Sequence, residues 1–172
     1  MLGFSSTTTW DMKGLDEFVK KCKEIERHEI QVGFDEEMHP DANMTMGNLA
    51  WILENGADLP NGEIPPRQFM ESTNFQFEVD NNRLAPLVVR AILYRDASIN
   101  TQLMRLGKKE KEVMQQVMRM KLFPFPNNAK STIEKKGRDD ALIDTQKFIK
   151  SIKVKIHKIG SIKGDTSVKT GD

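Results

Sequence analysis

Residues 83–120 read RLAPLVVRAILYRDASINTQLMRLGKKEKEVMQQVMRM, the longest stretch of the chain whose apolar residues return at helical intervals. Leu84, Leu87, Val88, Ala91 and Ile92 make one set, and Leu103, Leu106, Val113, Met114 and Val117 make a second. Steps of three and four within each set place the apolar side chains on one face of a helix. Pro86 lacks an N–H and suits the first turn of a helix, so the pattern predicts a start at residues 83–85. A break is expected near residues 97–100, and Phe123-Pro124-Phe125-Pro126 ends the helical region, since proline turns the residue before it away from helix.

On either side of this region the period changes to two. Residues 29–34 alternate Ile30, Val32 and Phe34 with Glu29, Gln31 and Gly33, while residues 151–158 alternate Ile152, Val154 and Ile156 with Lys153, Lys155 and His157. That is the signature of half-buried strands. Before the first strand, Leu15, Phe18, Val19, Cys22 and Ile25 predict a helix with one buried stripe, with Asp11 as its N-cap. A second helix is expected to open at Thr45, to run through Leu49, Ala50, Ile52 and Leu53, and to close at Asn55-Gly56, where glycine accommodates a left-handed cap. The polar residues 36–41 read as a hairpin or protruding loop, and Pro60-Asn61-Gly62 as a turn. Pro65-Pro66 forbids helix until Arg67, after which Gln68, Met70 and Phe75 turn loosely helical. Residues 127–138 are turn-prone, and residues 141–150 form a short element capped by Asp144.

This order predicts an α+β domain: a small antiparallel sheet packed against helices, one long helical region, and flexible termini. Residues 1–9 read as an arm that Trp10 pins, residues 10–158 as a single domain, and residues 159–172 as a tail.

Charge is informative once divided along the chain. Residues 29–80 hold eleven acidic residues and a single basic one, Arg67, whereas residues 130–158 hold nine Lys or Arg against four acids. An acidic half and a basic half invite head-to-tail contact between copies. Cys22 is the chain's one cysteine, so no intrachain disulfide can form, and its apolar neighbours point to packing. No signal peptide or membrane span is expected, which places the protein in the cytosol where it is made.

Chemistry is hard to anchor. The three histidines, His28, His39 and His157, do not make a metal-ligand pattern, and the chain lacks Gly-x-Ser-x-Gly, a phosphate-cradling loop and Cys-x-x-Cys. No catalytic residue, cofactor or metal is expected, and the chain reads as a non-enzyme. Lys130, Lys135, Lys136, Arg138, Lys147, Lys150, Lys153, Lys155 and Lys158 could meet phosphates. Phe123 and Phe125, beside prolines, together with Phe148 fit a packed corner better than a base-stacking platform, leaving incidental DNA contact as the nucleic-acid reading. The ten methionines suit core filling or packing between copies.

Three stretches, together about two thirds of the chain in span, resemble the tail-completion and neck proteins of tailed bacteriophages, a group that includes tail-terminator and head-tail joining subunits. The first is Ile30-Gln31-Val32-Gly33-Phe34. The second is Leu49-Ala50-Trp51-Ile52-Leu53-Glu54-Asn55-Gly56 followed by Ile64-Pro65-Pro66-Arg67-Gln68-Phe69-Met70, similar to a helix, Glu-Asn-Gly and Ile-Pro-Pro-Arg-Pro-Phe pattern. The third runs from Pro126 through Ala129, Thr132, Ile133, Lys136 and Gly137 to Leu142-Ile143-Asp144-Thr145 and Ser151-Ile152. Gln68 stands where the family usually has Pro, Gln146 where it has Gly, and the polar ends are longer.

The resemblance implies a structural virion protein that forms a ring, commonly a hexamer, at the head-tail junction. Its partners would be copies of itself, the head connector or stopper and the tail-tube proteins, with non-specific DNA contact in the channel and no membrane. It would be assembled in the host cytoplasm. A minor head or head-closure component is the alternative, and a phage DNA-binding protein a further one. The resemblance also implies interface roles for Gly33, Trp51, Glu54, Asn55, Gly56, Pro65, Pro66, Arg67 and Phe69, and for Thr132, Lys136, Gly137, Asp144 and Thr145. Arg67 would pair with an acid of its own or a neighbouring subunit.

Overall fold

A computed structural model describes residues 12–40, 43–60, 62–120, 126–127, 130, 133–134, 137 and 147–159. The expected arm, the expected tail beyond Ile159, the caps Asp11 and Asp144, and the Phe-Pro-Phe-Pro stop at Phe123 to Phe125 lie outside those residues. The elements run α1 (Met12–Glu26), β1 (His28–Gly33), α2 (Met46–Asn55), β2 (Ala57–Leu59), β3 (Gly62–Ile64), α3 (Phe69–Arg95), α4 (Ile99–Met120), α5 (Lys147–Lys150) and β4 (Lys153–Lys158). The fold is α+β, as the two periods predict.

The two strands that the alternation marks, far apart in sequence, pair with each other. β1 and β4 run antiparallel with Ile30 opposite Ile156 and Val32 opposite Val154, so the branched residues meet across the ladder. A two-stranded ribbon is marginal alone and needs a helix on its apolar face. α4 supplies it. At Gly107 the helix comes so close that a Cβ there would stand 2.4 Å from Val154 Cγ1 and 2.8 Å from Ile30 Cγ2. Further along, Gln115 Nε2 donates to the Ile149 carbonyl at 3.2 Å, and the Lys111 ammonium donates to the Ile152 carbonyl.

The core lies where α4, α5 and the starts of α2 and α3 converge on this ribbon. Val113, Met114, Val117 and Met118 of α4 meet Phe148, Ile149 and Ile152 from the C-terminal side, with Met46 and Ala50 of α2 and Phe69 and Phe77 of α3. Phe34, just past β1, stacks on Phe148 at a centroid distance of 4.3 Å, and Phe69 meets both rings edge-on at 6.0 and 6.1 Å. Met114 and Met118 fill the core, as expected for flexible, polarisable side chains.

The expectation about Pro86 is overturned. α3 does not begin at residues 83–85 but runs unbroken for 27 residues with Pro86 inside it. Proline removes the donor that would serve the carbonyl four residues back, here Asn82. Both Asn82 and Pro86 lie on the exposed side, where water can take the donor's place. The helix ends at Asp96, in the left-handed region at φ 51°, and the three-residue link 96–98 turns the chain into α4. Ser98 begins α4, its Oγ accepting from the Thr101 N–H at 3.5 Å. The expected break near residues 97–100 is this corner.

On either side of the expected turn at Pro60-Asn61-Gly62, β2 pairs with β3 as a small hairpin. The loop after β1 closes as expected, with Met38 bridging Thr45. A second expectation fails at α1: no residue of this helix is buried, and Leu15 is 53% exposed despite its place on the apolar stripe. Cys22 is half-buried.

Candidate interaction surface

The residues that carry the family resemblance divide into a closed knot and an open face. The knot begins at the end of α2. Thr45 opens that helix, its hydroxyl accepting from the Asn48 N–H at 3.1 Å, and Gly56 closes it at φ 79°, donating its N–H to the Ile52 carbonyl at 2.8 Å. A Cβ on Gly56 would lie 2.7 Å from the Ile64 carbonyl oxygen and 3.0 Å from Pro66 N. Only glycine meets both demands, the positive φ and the close approach of β3. The chain then returns through Pro65 and Pro66, and the Arg67 N–H donates to the Leu53 carbonyl at 2.9 Å.

Glu54 completes the knot. Its two carboxylate oxygens accept from the first N–H groups of α3, Met70 at 2.8 Å and Glu71 at 3.1 Å. The first turn of a helix leaves four donors without an intrahelical partner and carries the positive end of the dipole, so a bidentate carboxylate there is favourable twice over. Gln68, at the N-cap position, makes no side-chain cap and sits at φ 28°. A proline, held near −65°, could not adopt this backbone. Phe69 is fully buried in the aromatic cluster.

Arg67 is 6% exposed within the single chain, so it does not lie open on an outer surface. Trp51, by contrast, is 64% exposed on the outside of α2, and the exposed Asn55 ties its amide to the Trp51 carbonyl at 2.9 Å. A Cβ at Gly33 or Gly137 would meet nothing within 4 Å; Gly137 has φ 67°. Thr132, Lys136, Asp144 and Thr145 lie outside the described residues.

The charge halves are partly spent inside the molecule. Lys153 of β4 reaches Asp35 at 3.0 Å and Glu37 at 2.6 Å, Lys155 reaches Asp35 at 3.8 Å, and Lys158 reaches Glu24 at 2.8 Å. The bond from Lys153 and the N–H of Glu37 hold the Asp35 carboxyl below its ordinary range, Lys158 does the same for Glu24, and Lys153 is correspondingly raised. Acidic loop and basic strand therefore meet as a ladder within one chain.

Two features escaped the sequence reading. On the N-terminal part of α3, Phe75 and Val79 are each 68% exposed, next to the exposed carboxylates Glu71 and Glu78. Between α3 and α4 runs an open groove of about 610 Å³ with an apolar floor that includes Leu84, Leu87 and Leu106, and with Arg83, Arg90, Arg95, Arg105 and Lys109 along it. The signal was present as charge order along α3, but it was hidden by the expectation of two helices meeting near Pro86.

Among the described residues no group of three or more His, Cys, Asp or Glu side chains is placed to hold a metal ion, and no helix is long and apolar enough to cross a membrane. No family model, curated protein or solved structure matches the chain.

Proposed function

We propose that this protein is a non-enzymatic structural subunit of a tailed-phage particle, one that forms a ring at the head-tail junction and completes or terminates the tail. The observation that carries the reading is the way Glu54, Gly56, Pro66, Arg67 and Phe69 converge. The two segments of the second matched stretch fold into one knot, in which the Glu54 carboxylate caps α3, Gly56 takes a positive φ against Ile64 and Pro66, the Arg67 N–H bonds the Leu53 carbonyl and Phe69 is fully buried. The knot fixes how α2 and the hairpin meet α3, and it leaves Trp51 and the apolar faces of α1 and α3 uncovered. Apolar faces of this kind on a small subunit favour association over a solitary life in water. Function in this reading is shape: a self-associating subunit meets a connector on one side and a tail tube on the other.

The test has two parts. Mass spectrometry of purified virions should find the chain in mature particles, and deletion of its gene should give complete tails beside full, unjoined heads in negative-stain images. Its absence from particles, or unaltered particles after deletion, would end the proposal. Deletion that left heads unfilled or unclosed would move the protein to head closure.

A further inference from the structure

We propose that α3 carries both halves of a head-to-tail contact between copies of this chain: the Glu71–Phe75–Glu78–Val79 face of one copy seats in the α3/α4 groove of the next. All acidic residues of α3 (Glu71, Glu78 and Asp80) precede all of its basic ones (Arg83, Arg90 and Arg95). The helix dipole accounts for an acid in the first turn and a base in the last, an effect that fades beyond those turns. It does not account for Glu78, Arg83 or Arg90. Glu71 and Glu78 are seven residues apart, and so are Arg83 and Arg90. At 1.5 Å per residue each pair spans about 10.5 Å, so two carboxylates can face two guanidinium groups in register.

Apolar chemistry matches as well. The groove has an apolar floor, and the acidic face presents Phe75, between its two carboxylates along the helix, and Val79 beside Glu78, each mostly exposed. None of the residues lining the groove is acidic, and Lys109 has only a 4.0 Å contact to Glu112 beside it. A nucleic-acid strand would use the cations but not the floor, which favours a protein occupant.

The two surfaces also lie on different sides of the helix. At 100° per residue Leu87 is about 120° around from Phe75, so one copy can give and receive at once. Such a heterologous contact propagates until the rotation closes it. Closure into a ring rests on the proposed assembly function; the contact itself does not.

The experiment is charge exchange in the purified full-length chain, followed by sedimentation velocity over a concentration series. Glu78→Arg and Arg90→Glu, both at exposed positions, should each weaken self-association on the order of 100-fold, and the double exchange should recover most of it. Glu71→Arg with Arg83→Glu is the second pair, and circular dichroism confirms that each variant is folded. Single variants that associate like the parent, a double variant that stays dissociated, or a parent that is monomeric at all concentrations would overturn the contact. So would loss of DNA retardation in the Arg variants with self-association unchanged, which would assign the groove to phosphates. Virion mass spectrometry reports separately on the assembly function, so the two can fail independently.

Discussion

α1 and α4 carry equally clear apolar stripes, yet the molecule treats them oppositely. In α4 the stripe is the centre of the core: Val113, Met114, Val117 and Met118 are buried against the ribbon and α5. In α1 Leu15, Phe18 and Val19 stay exposed, while the Phe18 ring, 6.3 Å from Tyr94, and Lys21, bound to Asp96, tie the helix to α3. Periodicity states which side of a helix is apolar. It does not state what will cover that side, and a chain that works as one part of an assembly can leave the covering to another subunit.

Breaking the α4 side should cost the most. Met118→Ala removes a fully buried side chain at the meeting of α4, α5 and α3, and should lower unfolding free energy by about 2–5 kcal/mol in a denaturant titration. Gly56→Ala comes next, because it forces both a positive φ and a Cβ against the Ile64 carbonyl; about 1–3 kcal/mol is expected in the same assay. The knot and the α4 core would then be shown to bear the stability that α1 does not.

A smaller effect should appear with pH. Asp35 and Glu24 are held below their ordinary values by lysine partners, so the unfolded chain binds more protons than the folded one across the carboxylate range. The stability they add is present above that range and is lost as pH falls through the lowered folded values. Lys153→Ala should make the acid-side loss of stability shallower, seen as a flatter dependence of Tm on pH; an unchanged slope would show that the ladder between loop and β4 is not the source. Smallest of all for the fold is Leu15→Ser on α1. It should change monomer stability by less than about 0.5 kcal/mol in a denaturant titration while weakening self-association in sedimentation velocity, which sharpens the contrast with Met118.

Much of this was legible because local rules and tertiary structure agree. Ile30, Val32, Val154 and Ile156 alternate in sequence and pair across the ribbon, and Asn55-Gly56 ends α2 where glycine is required. The failures share one cause. Pro86 is a helix breaker by local rules, but at an exposed position of a helix anchored at both ends by packing its lost hydrogen bond is tolerable. The resemblance marks Glu54 without giving its task; that task, a cap for α3, is set by contacts 16 and 17 residues away, which no local pattern records. Arg67, the one basic residue of an acidic stretch, is 6% exposed where the chain returns through Pro65-Pro66, a burial that no local pattern records.

The central claim is that this chain acts by fitting beside copies of itself. Sedimentation velocity of the purified protein at tens of micromolar tests it most directly: a discrete species several times the 19.7 kDa chain mass is the expected result. A single species at the chain mass across the whole concentration range would contradict it.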